Sequence, residues 1–174
     1  MSIALRFATA ADVPQILQFI RALADYEKLG PEVVATEAGL RTTLFGERRY
    51  AEVVIADCEG APAGFALFFH NYSTFLGKPG IFLEDLFVDP AYRKQGVGAA
   101  LLRFLARLTV ERDCGRLEWS ALNWNQLAID FYLQLGATPM SGWHNYRLTG
   151  EALQRLAHAQ QAARAQRPGS DSRI

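Results

Sequence analysis

The sequence predicts an α/β fold built on a mixed sheet with helices on both faces. Three observations predict it. Residues 50–88 carry apolar runs broken by Gly/Pro turns, as antiparallel hairpins do. "IFLEDLFV" (81–88) then passes through a glycine loop into a long helix-periodic run, and "RLEWSAL" (116–122) follows, giving a strand–helix–strand crossover. Val13, Ile16, Leu17, Ile20, Leu23 and Ala24 recur at three- and four-residue steps, so an N-terminal helix buries one face.

Taken in order, "IALRFA" is a first strand, and Thr9 with Asp12 three residues on caps the helix that follows. "KLGPEV" breaks that helix, and "TEAGLRTTLFG" forms a short second one. "YAEVVIADC" and "AGFALFFHNYS" are two strands of a hairpin that turns at "EGAPA". "KPG" opens the strand "IFLEDLFV". A helix runs from about Val97 to Arg112, with Leu101, Leu102, Leu105 and Leu108 on its apolar side. After "RLEWSAL" comes a helix, "NQLAIDFYLQLG", stopped by Gly136. "WHNYRL" is a last strand, and "GEALQRLAHAQQAARAQ" is helical by composition. The reading is one domain over residues 1–166, with 167–174 a frayed tail.

Lys plus Arg and Asp plus Glu each number 18 in the 174 residues, so the formal net charge is zero. Such a chain lacks the basic footprint of a nucleic-acid binder. Cys58 and Cys114 are far apart and have no metal-ligand spacing around them, and His70, His144 and His158 form none either. No metal is expected. The start lacks a signal-peptide layout and no apolar run approaches the ~18 residues of a membrane span, so a cytoplasmic protein without membrane attachment is expected.

Gly96 and Gly98 stand at the head of the long helix. A helix N-terminus offers unsatisfied N–H groups and partial positive charge, and glycine lets an anion approach that backbone. Arg93 can add a charge-assisted bond, so a pyrophosphate suits the loop. The dinucleotide fingerprint would need a glycine where Leu101 stands, and the Gly-Lys-Ser/Thr of a P-loop is absent. Tight packing or a simple turn is the competing explanation for a glycine pair.

"Arg93-Lys94-Gln95-Gly96-Val97-Gly98", after an apolar strand and before a long helix, resembles the acetyl-CoA motif of the GNAT acetyltransferases. The likeness runs from "RFATAADVPQIL" through "NWNQLAIDFYLQLGA" to the last strand. "ADYEKL", "FLEDLFV", "NWNQLAIDFY" and "GW" are similar to the branch holding spermidine/spermine and thialysine acetyltransferases. The resemblance implies a mostly antiparallel sheet that splays after "FLEDLFV". It also implies that Arg93, Lys94, Gln95, Gly96, Val97, Gly98 and Ala99 hold the pyrophosphate of acetyl-CoA. The backbone of Leu86, Phe87 and Val88 would bind the acetyl carbonyl and the pantetheine amides. Buried polar backbone of this kind would otherwise be unsatisfied.

Acetyl transfer to an amine needs a base and a proton donor. A primary amine of pKa ~10.4 is roughly 99.9% protonated at pH 7, and freeing its lone pair costs about 4 to 5 kcal/mol. Asn125, Ala128 and Tyr132 share one helical face. The residues alone read Tyr132 as core, whereas the resemblance makes it the general acid, with Asn125 and Ala128 along the cofactor. Glu84 interrupts an apolar strand, where a carboxylate is costly unless paired or used. It is either a solvent-facing residue or, as the resemblance implies, part of the substrate site and the base.

On the substrate side the candidates are Tyr26, Glu27, Asp85 and the strand residues Glu118, Trp119 and Ser120. Trp119, Trp124 and Trp143 read as core or pocket wall. The polyamine enzymes carry acids just before the final tryptophan, but Ser141 and Gly142 precede Trp143 here. "TGEALQRLA" is closer to the thialysine type. The expected enzyme is a homodimer that moves acetyl from acetyl-CoA directly to a small primary amine, thialysine, a diamine or a polyamine. A peptide N-acetyltransferase and a silent CoA-binding module are the alternatives. No Ser or Cys nucleophile motif suggests an acetyl-enzyme.

Overall fold

The structure, a computed structural model, describes residues 2–165. Strand β1 (Ile3–Phe7) is joined to helix α1 (Val13–Tyr26) by a short 3-10 turn. There the Thr9 N–H donates to Asp12 Oδ2 (2.7 Å), and both Arg6 Nη atoms donate to the same carboxylate (2.9 Å each). The Arg6 hydrogen bonds hold the Asp12 carboxyl well down, at about 2. Helix α2 (Glu37–Phe45) is capped by Thr36 Oγ1, which accepts from the Gly39 N–H at 3.1 Å.

Strands β2 (Glu52–Cys58), β3 (Ala61–Ser73) and β4 (Lys78–Val88) follow as antiparallel neighbours, then α3 (Val97–Glu111) crosses to β5 (Leu117–Trp119). The sheet order is β1-β2-β3-β4-β5, and β5 alone is parallel to its neighbour, β4. Val53, Val54, Ile55 and Ala56 are all buried, because both faces of β2 are covered. On one face Ile16 and Phe19 of α1 pack on Val53, Ile55, Phe65 and Phe87, with the Phe19 ring 5.5 Å from Phe65 and 5.7 Å from Phe87. On the other face Phe104 of α3 meets Phe7 edge-on at 5.6 Å. Burying each of the Phe19, Phe65 and Phe87 rings contributes about 2 to 3 kcal/mol. The Phe19–Phe65–Phe87 contacts thereby hold the middle of α1 against β3 and β4.

The chain falls into two compact units, Met1–Trp124 and Asn125–Ile174. The second holds helices α4 (Gln126–Gln134) and α5 (Gly150–Ala165). Gly136 takes φ 86° and its N–H bonds to the Leu133 carbonyl, ending α4 where glycine was expected to stop it.

Two expectations need correction. The last strand, "WHNYRL", does not form: residues 143–148 have no regular structure and, among the described residues, pair with no strand. Alternating apolar residues make a strand only where an edge is offered, and here Trp143 and Tyr146 are exposed. The strand drawn over 116–122 shrinks to three residues. The expected tail, 167–174, lies outside the described residues. No described helix is long and apolar enough to cross a membrane.

Candidate active site

Strand β4 reaches the glycine loop through Asp89, whose side chain accepts from the Ala91 N–H at 2.9 Å, and through the turn Pro90–Tyr92. Lys94 (φ 60°) and Gly96 (φ 87°) are both left-handed, so the loop curls back on itself before α3 starts. Gly96 is the N-cap of α3 and has no side chain with which to cap it. The first-turn N–H groups of Val97, Gly98 and Ala99 therefore have no side-chain cap. A Cβ on Gly96 would meet nothing within 4 Å, and one on Gly98 would touch only Val88 Cγ2, at an ordinary 3.7 Å. The fold does not require glycine at 98. An anion drawn up to the backbone would, and on this ground the residues fit a pyrophosphate.

The opening of the sheet lies beside this loop. β5 pairs with β4 at Ile81, Phe82 and Leu83 alone, so on that side no described strand pairs with residues 84–88. Leu86, Phe87 and Val88 sit in this stretch. On the other side, the β3–β4 register jumps from Leu67↔Asp85 to Phe68↔Leu83, which makes Glu84 the extra residue of a bulge. Glu84 is exposed, while Asp85 is half-buried and shares a face with Leu67, against the α1 core. Burial pushes the Asp85 carboxyl up to about 6, and the charges of Glu84 and Glu27 add to the effect.

Glu27 comes from the end of α1, which closes with Lys28 at φ 63°. The Leu29 N–H bonds to the Ala24 carbonyl and the Lys28 N–H to that of Asp25, a Schellman closure with lysine in the place glycine usually takes. This closure brings Glu27 close enough for its charge to act on Asp85. Burial raises the Glu27 carboxyl as well.

Arg93 does not point freely from the loop. Its Nε donates to the Val88 carbonyl at 3.1 Å, and its guanidinium carbon lies 4.8 Å from the centroid of the Tyr26 ring. Trp124 lies 6.1 Å from that ring and is 54% exposed, so it is wall and not core. Sequence reasoning did not connect Trp124 with Tyr26, because 98 positions separate them and no pattern joins them.

The structure does not bring Glu118 to the bulge. Its carboxylate accepts from Asn71 Nδ2 at 2.8 Å and pairs with Arg116 Nε at 2.7 Å. Asn71 faces Gly80, five residues before Asp85 and roughly 16 Å away along the strand. Trp119 is half-buried at the end of β5, and Ser120 is exposed just beyond it. In the second unit, Asn125 Oδ1 caps α4 by accepting from the Ala128 N–H at 3.3 Å. Ala128 and Tyr132 follow at helical steps on the same face. Tyr132 is half-buried, its ring 5.6 Å from that of Phe131.

A mixed sheet opened on one side of β4, with a glycine loop leading from that strand into a helix, defines the class as a CoA-dependent acyltransferase fold. The family model for the acetyltransferase (GNAT) family matches residues 19–137. The chain belongs to this family and is an N-acetyltransferase. It is 37% identical over 167 residues to the thialysine N-epsilon-acetyltransferase of Sus scrofa, covering 90% of this chain and 98% of that one. It is 34% identical to the L-ornithine N5-acetyltransferase of Arabidopsis thaliana, over 87% of this chain and 86% of that one. Among solved structures, an integron cassette protein from the mobile metagenome of V. cholerae superposes with a TM-score of 0.77 at 26% identity, covering 90% of this chain and 98% of that one.

Proposed function

We propose that this enzyme acetylates the primary amine of a small molecule that carries a second charged centre, of the thialysine, ornithine or short-diamine kind. The observation that supports this most is the group Glu27, Glu84 and Asp85 at the end of α1 and the bulge of β4, three carboxylates from two elements with Asp85 held at about 6. A cationic amine gains from each of them. The named relatives act on amines of this type, and their likeness covers nearly the whole of residues 1–166, which we read as one acetyltransferase domain.

In this reading acetyl-CoA supplies the activated acetyl group, and the Gly96–Gly98 loop with Lys94, Gln95, Val97 and Ala99 holds its pyrophosphate. The backbone of Leu86, Phe87 and Val88 receives the acetyl carbonyl and the pantetheine. Sequence reasoning gave proton removal to Glu84. The burial of Asp85 argues for sharing that work: exposed Glu84 receives the ammonium, and Asp85, about a hundredfold more basic than an ordinary aspartate, accepts the proton. Tyr132 donates a proton to the departing thiolate. Attack is direct, with no acetyl-enzyme. We infer a cytoplasmic homodimer from the family resemblance.

The test is an acetyl-CoA turnover screen against thialysine, lysine, ornithine, short diamines, spermidine, spermine and short peptides. Fastest turnover is expected with thialysine, ornithine or a short diamine. Turnover confined to peptides would overturn the reading.

A further inference from the structure

Arg93 belongs by sequence to the cofactor loop, yet its side chain is engaged with the end of β4 and with α1. The Nε bond to the Val88 carbonyl ties it to the end of β4, and the guanidinium then lies over Tyr26. Tyr26 adjoins Glu27 and lies near Trp124 on the amine side. Half-buried Arg93 is thus shared by two surfaces that must each hold a different substrate.

We propose that Arg93 is a positioning residue that couples the two substrate sites, holding Tyr26 from the glycine loop so that occupancy of the loop tightens amine binding. The inference rests on the small-amine reading above. The chain from loop to wall is short and contiguous: Gly96 and Lys94 set the path of the backbone, Arg93 precedes them, and its side chain reaches the ring directly. An anion on the loop restricts the backbone from which Arg93 springs, and Tyr26 is then ordered before the amine arrives. The coupling is reciprocal, so a bound amine tightens CoA binding by the same factor. One hydrogen bond and one cation–π contact suffice for a factor of about five. Lysine cannot replace arginine in this role. Its ammonium has no donor partway along the stem, so it cannot bond the Val88 carbonyl and lie flat on the ring together.

That difference makes Arg93→Lys the informative variant, because it keeps a charge for phosphate. With thialysine and acetyl-CoA as probes, Arg93→Lys is expected to raise the thialysine KM about fivefold. Its kcat should fall by less than that, and its affinity for acetyl-CoA in the absence of amine should stay within twofold of wild type. Calorimetry should show CoA tightening thialysine binding about fivefold in wild type and hardly at all in the variant. The double-mutant cycle of Arg93→Lys with Tyr26→Leu should be strongly non-additive in thialysine KM. If Arg93→Lys does not fold, Tyr26→Leu alone must abolish the effect of CoA on thialysine affinity. A variant in which acetyl-CoA KM rises and thialysine KM does not, or an additive cycle, overturns the coupling. Failure of the wild-type enzyme to acetylate thialysine or any diamine overturns the small-amine reading, and this inference with it.

Discussion

Leu67 of β3 stands opposite Asp85 of β4 while the next residue, Phe68, stands opposite Leu83, so the ladder skips Glu84. The skipped residue splits two adjacent acids between two environments. Asp85 is directed toward the α1 core and Glu84 toward solvent. A regular strand would also alternate them, but the bulge shifts the register, so that Asp85 and the residues after it keep their faces against β3.

The folded pKa of Asp85, about 6, lies above its value in the unfolded chain. Its contribution to stability is therefore favourable only below the ordinary aspartate range and is lost as pH rises through about 6. At pH 7 to 8 the ionised group costs on the order of 2 to 3 kcal/mol. Asp85→Asn should raise the Tm at pH 8 by several degrees and leave it nearly unchanged at pH 4. The same substitution should lower kcat/KM at least tenfold and remove an acidic limb near pH 6 from its pH profile. Thermal melts at the two pH values and kcat/KM profiles check this. Loss of stability at pH 8 would show that the carboxylate has a partner in solution.

Tyr132→Phe keeps the ring beside Phe131 and removes only the hydroxyl. As proton donor to the thiolate, its loss should reduce kcat by roughly 10² with acetyl-CoA affinity close to wild type. Single-turnover kinetics and calorimetry separate the two. A normal chemical rate would return Tyr132 to a packing role.

Gly98→Ala should fold as wild type, because its Cβ would meet Val88 Cγ2 at 3.7 Å. Gly98→Val should also fold cooperatively, but its branched side chain would stand where an anion approaches the first turn of α3. Acetyl-CoA affinity should fall at least tenfold in the valine variant and less in the alanine variant. Unchanged affinity in folded Gly98→Val would remove the pyrophosphate from this loop.

The helices and hairpins were legible because each carries its own local signal. Thr9 and Asp12 mark a start, Gly136 a stop, and the leucines of α3 a buried stripe. The glycine loop was legible for the same reason. The strand over 143–148 was misread because a strand depends on a partner that its own residues do not encode. The bulge at Glu84 was out of reach too, since it is a register jump between Leu67↔Asp85 and Phe68↔Leu83, partners that lie 18 and 15 residues apart in the sequence. Arg93, Tyr26 and Trp124 come from three separate segments, and only the folded chain brings them together.

The amine's second charge should decide specificity. Glu27 is half-buried, its carboxyl raised by that burial and its charge felt by Asp85. A distant ammonium placed beside it would relieve both effects, in the ground state and the transition state alike. Glu27→Gln should therefore raise the KM for thialysine or a short diamine more than it lowers kcat, as expected of uniform binding. A bare polyamine would need acids farther along its length, and Ser141 and Gly142 before Trp143 supply none. Thialysine also brings a carboxylate, so a site with few acids penalises it less. The expected order of kcat/KM is thialysine or short diamines above spermine, read by steady-state kinetics side by side. A clear preference for spermine, lost in Glu27→Gln, would mean that residues other than those before Trp143 meet its extra charges.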